Sequence, residues 1–187
     1  MLEHNRLDLL SLAGITARLL QLVAGGPDAA RDAREALALG RLYARAGLAL
    51  QARGSFDRAA DMAAEAGGPS SRSAARAWPT DDGSHWAPIR VEALRHLALA
   101  ERRSGRYLQA AARWRELLEA PSCPPRLARE AIEALAIHHE HRVRDLEASK
   151  AFALKNLQQD GRPRWEDAAR RRLARLDRKM GTLTLGL

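Results

Sequence analysis

The chain has 187 residues, which suits one domain with a hydrophobic core and is small for two. Only 4% of the residues are aromatic, and no runs of alternating β-branched residues occur, so the composition predicts an all-α protein. The formal net charge of +8 suggests an anionic partner, although arginine spread over helix faces is usually just a solvated surface.

Cysteine usage and the N-terminal residues predict a soluble cytoplasmic protein. Cys123 is the only cysteine, so the chain cannot form an internal disulfide, and no zinc-binding or redox spacing surrounds it. Glu3 and Asp8 precede the first apolar run, which argues against a secretory signal. We find no apolar stretch near the roughly 18 residues that a membrane span requires, and we therefore expect no membrane contact.

Helical spacing of apolar residues predicts a leading amphipathic helix over residues 8–23, followed by a break at residues 25–28. Asp28 is the predicted N-cap of the helix that follows. Residues 181–187 are expected to be frayed or docked on the last helix. Glycine and proline positions divide most of the remaining chain into further helices, with predicted ranges 29–46, 48–66, 89–104, 107–119, 126–142, 146–158 and 164–180.

Residues 67–88 interrupt the helical pattern with a segment rich in glycine, proline, serine and aspartate. Loops longer than about 12–15 residues are either functional or disordered. Trp78 and Trp86 lie inside this insertion. Because an exposed tryptophan is costly, we expect one or both to pack back onto the helices, and partner binding is the alternative.

One helix-pair pattern recurs three times along the chain. Each copy has a small residue on its first helix and a large one on its second, which together allow the two helices to approach closely. This pattern resembles the tetratricopeptide repeat, which implies stacked helical hairpins over residues 29–180, with a separate leading helix at 1–24 and a C-terminal capping helix. The pairs are Gly40 with Phe56, Ala98 with Trp114, and Ala136 with Phe152.

The same resemblance implies where a partner would bind. In tetratricopeptide arrays the first helix of each pair lines a concave groove, so a protein or peptide partner is expected. The groove would be basic through two repeats and acidic at the third, and its arginines could grip carboxylates or phosphates. Its predicted residues are Arg34, Arg41, Arg45, Arg95, His96, Arg102, Arg103, Glu133, Glu140 and His141.

Two further stretches resemble a nuclease family. His4 to Asp8 is similar to the last motif of ribonuclease-H-like 3′–5′ exonucleases, in which an aromatic residue or histidine precedes the final metal-binding aspartate. Residues 134–148 resemble a stretch of the bacterial YprB-like exonucleases, which carry a tetratricopeptide-like region after the nuclease domain. The resemblance covers residues 4–158, mostly the part of that family that is not catalytic.

The resemblance implies a protein that is not an enzyme. A two-metal nuclease needs several carboxylates around its cations, and only Asp8 matches the family's set. His4 would match the residue that orients the attacking water, so His4 and Asp8 are vestigial catalytic candidates. Residual catalysis through them, or helix N-capping by Asn5 and Asp8, are the alternatives.

Three histidines, His138, His139 and His141, flank Glu140 and suggest a metal site. Zinc usually requires four ligands, and no second Cys or His cluster occurs elsewhere in the sequence. The HExxH motif of zinc proteases is absent, because Val143 occupies the position of its second histidine. We therefore expect no metal and no other cofactor, and interpret the cluster as a polar contact between repeats or a solvated face.

The last predicted helix supplies an alternative function. It is rich in arginine, and clustered cations bind nucleic-acid phosphates without sequence preference. A nucleic-acid-binding accessory to a nuclease, acting through the Arg-rich groove and this last helix, is therefore the alternative to a protein-interaction module. The candidate residues are Arg170, Arg171, Arg172 and Arg175.

Overall fold

The computed structural model describes residues 2–67, 86–121, 123–158 and 163–185. These ranges contain eight α-helices and no strand, which confirms the all-α prediction. The tetratricopeptide type of the repeat stays a prediction. The helices are α1 (Leu2–Gly25), α2 (Ala33–Arg45), α3 (Ala49–Ala66), α4 (Ala87–Arg103), α5 (Tyr107–Glu119), α6 (Pro125–His138), α7 (Leu146–Leu157) and α8 (Pro163–Leu185).

The chain divides into two compact units, residues 1–93 and 94–187. In the first unit α2 packs against α3, and α1 contacts the 3₁₀ turn Gly26–Ala29 that precedes α2. In the second unit α5, α6, α7 and α8 pack in chain order, each against the next. The leading helix therefore lies in the same compact unit as the first helix pair.

The predicted small-to-large packing is present in the first helix pair. A Cβ atom added to Gly40 would lie 2.6 Å from Cδ1 of Phe56, so only glycine allows α3 to come this close. Ala36 and Ala59, on the facing sides of the same two helices, are fully buried. Helices α2 and α3 thus meet by close backbone approach beside the large side chain of Phe56.

The first two helix pairs share one kind of turn. Gly47 follows α2 with φ 77°, and the N–H of Leu48 donates to the carbonyl of Tyr43 at 2.9 Å. Gly105 follows α4 in the same way, with φ 74°. Glycine is required at this point because the left-handed conformation is unfavourable for a residue with a Cβ atom.

The third pair has one residue more in its turn. From the small packing residue to the left-handed residue there are seven positions in the first two pairs and eight in the third. The extra residue is accommodated by a π-helical stretch, His139–Val143, here called the π segment. Arg144, with φ 62°, takes the left-handed position that glycine holds elsewhere. The predicted helix over 126–142 therefore ends earlier, at His138.

Several predicted helix boundaries and caps were wrong. Asp32, not Asp28, caps α2, because its carboxylate accepts from the N–H groups of Arg34 and Glu35 at 2.8 Å. Asp8 lies inside α1, six residues after its start, so it cannot be an N-cap. The last helix continues to Leu185, beyond the predicted end at residue 180.

The prediction that no stretch is long and apolar enough to span a membrane was also wrong. Residues Asn5–Ala29 have a mean hydropathy of 1.5 over an 18-residue window, and 6% of that window is buried. Arg18 interrupts the run, but alanine, glycine and leucine elsewhere keep the mean hydropathy high. Within the described residues, this one helix is long and apolar enough to cross a bilayer. A single such helix is only weak evidence for a membrane span.

Most of the predicted insertion, including Trp78, lies outside the described residues. Its C-terminal end does not belong to a loop, because α4 begins at Ala87. Trp86 lies against α2, with the guanidinium carbon of Arg34 at 5.3 Å from the centre of its ring. Trp86 thus packs back onto the first helix pair, as expected for one of the two tryptophans.

Candidate functional site

Helix α1 carries a large uncovered apolar surface. The apolar side chains are distributed around the whole helix rather than along one stripe, so the predicted amphipathic character is absent. The side chains are between 45% and 67% exposed. We call this set the α1 apolar surface: Leu7, Leu9, Leu10, Leu12, Ile15, Leu19, Leu20 and Val23.

Polar contacts hold the C-terminal third of α1 to the first unit. The Nε atom of Arg18 donates to Oε1 of Glu35 at 3.0 Å, and its terminal nitrogen donates to the carbonyl of Ala29 at 2.9 Å. The hydroxyl of Tyr43 donates to the carbonyl of Val23 at 2.9 Å. The guanidinium of Arg18 also holds the pKa of the Glu35 carboxyl below its usual value. This end of the helix is therefore anchored while the N-terminal part is uncovered.

The predicted groove residues of the first unit have different surroundings. Arg34 lies over the ring of Trp86. Arg41 forms an ion pair with Glu92 at the start of α4. Arg45 is exposed at the end of α2. Only part of the predicted basic surface of this unit is thus available to a partner.

In the second unit the predicted groove residues are again divided. Arg95 donates through Nε to Oε2 of Glu130 at 2.7 Å, and both side chains are half-buried. His96 is partly buried. Arg102 and Arg103, at the end of α4, are exposed.

Glu140 does not face a partner, although the sequence predicted it in the groove. It is buried and accepts from Nε of Arg175 at 2.9 Å, from Arg172 at 3.2 Å and from Nζ of Lys179 at 2.8 Å. The hydrogen bond from Arg175 is the main reason that its pKa falls to about 2. Glu133 is half-buried and 3.8 Å from Arg172. These carboxylates fix α8 on the end of α6.

The internal network also occupies the nucleic-acid candidates. Arg172 and Arg175 bind Glu140, as described above. Arg170 pairs with Glu166 one turn earlier on α8, at 2.9 Å. Arg171 is exposed, and no ion pair with it occurs within the described ranges. Three of the four predicted arginines therefore neutralise acids of the protein itself.

A cavity of about 410 Å³ opens in the second unit between α5, α6 and the π segment. Two of its lining residues contact each other, with the guanidinium carbon of Arg142 lying over the Tyr107 ring at 3.7 Å from the ring centre. Of the residues predicted from sequence, Arg102 and His141 line it. The remaining lining residues were missed: Tyr107, Ala110, Ala111, Trp114, Ala134, Ile137, His138 and Arg142.

Only one of the two catalytic candidates has a described side chain. Asp8 is exposed on α1, and the side chain of His4 lies outside the described residues. Within the described ranges, no group of three or more His, Cys, Asp or Glu residues could hold a metal ion. Partial burial raises the pKa of the Cys123 thiol, which disfavours the thiolate that a nucleophile needs.

Comparison of the chain with protein-family models, curated proteins and solved structures gives no match. The functional assignment therefore depends on the surfaces described above.

Proposed function

We propose that this chain is a non-catalytic helical-repeat interaction module, and that the α1 apolar surface is its main protein-binding site. The observation that carries the proposal is the exposure of eight large apolar side chains on one helix. Each buried square ångström of such surface is worth about 25 cal/mol, and contiguous apolar patches of several hundred square ångströms usually mark binding sites.

The distribution of apolar residues around α1 favours a partner that encloses the helix. Leu9 and Leu20 lie on the side opposite Leu22, the residue that packs against the first unit. A helix that is apolar on all sides is typical of the interior of a large protein or of a membrane span. A flat partner would leave part of the surface in water, so we propose a groove in a folded protein.

The anchoring of α1 favours a protein over a bilayer. If the helix crossed a membrane, Arg18 would have to leave Glu35, or both charges would enter hydrocarbon. The part before Arg18, residues 5–17, is about 20 Å long, while the hydrocarbon core is about 30 Å thick. Cytoplasmic location is part of the same proposal.

The resemblance of His4–Asp8 to the closing motif of ribonuclease-H-like nucleases supports one choice of partner. We propose that α1 completes or docks on such a nuclease domain, and that the helical pairs serve as the region that follows it in YprB-like exonucleases. Binding of nucleic acid by α8 is the alternative, and the pairing of Arg170, Arg172 and Arg175 with carboxylates speaks against it.

Site-specific photo-crosslinking in the native host tests the proposal. A benzoylphenylalanine replaces Leu12 in the α1 apolar surface, and a matched control replaces Leu50, which is 77% exposed on α3 of the same unit. We expect a major adduct from position 12 alone, with a protein that carries a nuclease domain. Adducts with lipid, with a second copy of the chain, or equal adducts at both positions would each overturn it.

A further inference from the structure

The floor of the cavity in the second unit is apolar. Two large apolar side chains line it: Trp114, which is 3% exposed, and Ile137, which is 38% exposed. Ala110, Ala111 and Ala134 leave the space between them open because their side chains are small. A volume of about 410 Å³ is within the range of about 300–1,000 Å³ that is typical of small-molecule sites.

The rim of the cavity is cationic and lacks a carboxylate. Arg102, His138, His141 and Arg142 are the basic residues of the lining. Neither Arg102 nor Arg142 forms an ion pair with an acid in the part of the chain that the structure describes. Burial and the neighbouring positive charges, among them Arg115 and Arg142, lower the pKa of His138. The surroundings of His138 are therefore positive, and a bound anion would balance this charge.

Arg142 is prepared for a planar anion. Stacking on the ring of Tyr107 fixes the plane of the guanidinium, while its N–H groups stay free at the edges of that plane. A guanidinium presented in this way matches the two oxygens of a carboxylate with two parallel hydrogen bonds. Less side-chain freedom is then lost on binding than for an unstacked arginine.

The π segment determines this arrangement. It contains the extra residue of the third helix pair, and each residue of a helix turns the following ones by about 100°. Without the extra residue, His141 and Arg142 would point elsewhere. Single π-helical turns often occur at functional sites, where the irregular hydrogen bonding is tolerated because it positions side chains.

We infer that this cavity binds a carboxylate carried on an apolar body, with Arg142 and Arg102 holding the carboxylate and the floor holding the apolar group. A doubly charged phosphate fits less well, because the apolar floor disfavours a second desolvated charge. A free aromatic acid and the apolar C-terminal residue of a peptide share this chemistry. The inference goes beyond the proposed function, since the cavity shares no residue with the α1 apolar surface.

Titration of the ¹⁵N-labelled full chain tests the inference. N-acetyltryptophan represents a peptide C-terminus, phenylacetate represents a free acid, and N-acetyltryptophanamide is the neutral control. We expect at least one acid to shift the histidine side-chain signals of His138 and His141, and the amide to bind at least about tenfold more weakly, as expected for a hydrogen bond to a charged group. Which acid binds more tightly identifies the source.

Three variants localise the effect. The double variant Arg102→Gln with Arg142→Gln should weaken binding of the acid at least about tenfold, whereas Arg103→Gln, which removes an exposed charge outside the cavity, should change it less than about twofold. Ala134→Leu fills the floor and should abolish binding even if the double variant folds poorly. Three results would overturn the inference. They are equal binding of acid and amide, binding that survives in Ala134→Leu, and no binding of either acid at 10 mM, a concentration on the order of the weakest small-ligand sites.

Discussion

Replacement of Glu140 by glutamine tests the role assigned to the buried carboxylate. The variant keeps the shape of the side chain but leaves Arg172, Arg175 and Lys179 without their shared anion. A pKa lowered from 4.5 to about 2 corresponds to about 3.4 kcal/mol of stabilisation at neutral pH, at 1.36 kcal/mol per unit. Arg175 and Lys179 are 41% and 43% exposed, so water screens part of this, and we expect a loss of about 2–3 kcal/mol.

Urea denaturation followed by circular dichroism measures the effect. The lowered pKa means that the contribution is fully present above the unfolded pKa of Glu140 and is lost as the pH falls through the folded value. The difference between wild type and Glu140→Gln should therefore shrink to less than half by about pH 3. Glu133→Gln, a half-buried control near the same arginine, should cost less than about 1 kcal/mol. A Glu140→Gln variant within about 0.5 kcal/mol of wild type at pH 7, or a pH-independent difference, would refute the reasoning.

Three further predictions follow from the packing and the charges. Gly40→Ala should destabilise the chain by about 1–3 kcal/mol through overlap with Phe56, whereas Gly14→Ala, with open space around it, should stabilise by about 0.5–1 kcal/mol in thermal or urea unfolding. Because the pKa of His138 is lowered in the folded state, the unfolded state binds a proton at this residue at a higher pH than the folded state does. Stability should then fall as the pH drops below about 6.5, and His138→Asn should remove that part of the pH dependence. Labelled single- and double-stranded DNA and RNA should show no micromolar binding near 0.15 M salt. Tight binding that collapses with salt and is lost in Arg171→Ala would favour the nucleic-acid alternative.

The positions of the helices could be predicted because glycine and proline mark their ends. The close approach at Gly40 was also predictable, since a small residue and a large one recur at fixed spacing on successive helices. The exposure of α1 was not predictable in the same way. Leucine spacing shows that a helix is apolar, but whether another element covers it depends on tertiary contacts that the spacing does not contain.

The cavity and the burial of Glu140 depend on contacts distant in sequence. Glu140 meets Arg172 and Arg175, which follow it by 32 and 35 positions, so its local sequence of histidines gave no sign of an internal ion pair. The π segment is visible in the sequence only as a spacing of eight positions, instead of seven, between the small packing residue and the left-handed residue of the third pair. That signal was obscured because Arg144 stands where the other two turns have glycine.

Because α1 is one continuous helix, it is a stiff connector that fixes the rotation of anything bound to it. The helix runs from Leu2 to Gly25 without proline, and its last third is bound to the first unit. A partner that grips the N-terminal part is therefore set at a fixed rotation about the helix axis. Deleting Ala17 would turn that partner by about 100° and draw it in by about 1.5 Å. The length of α1, counted in single residues, would then decide which face of the partner meets the first helix pair.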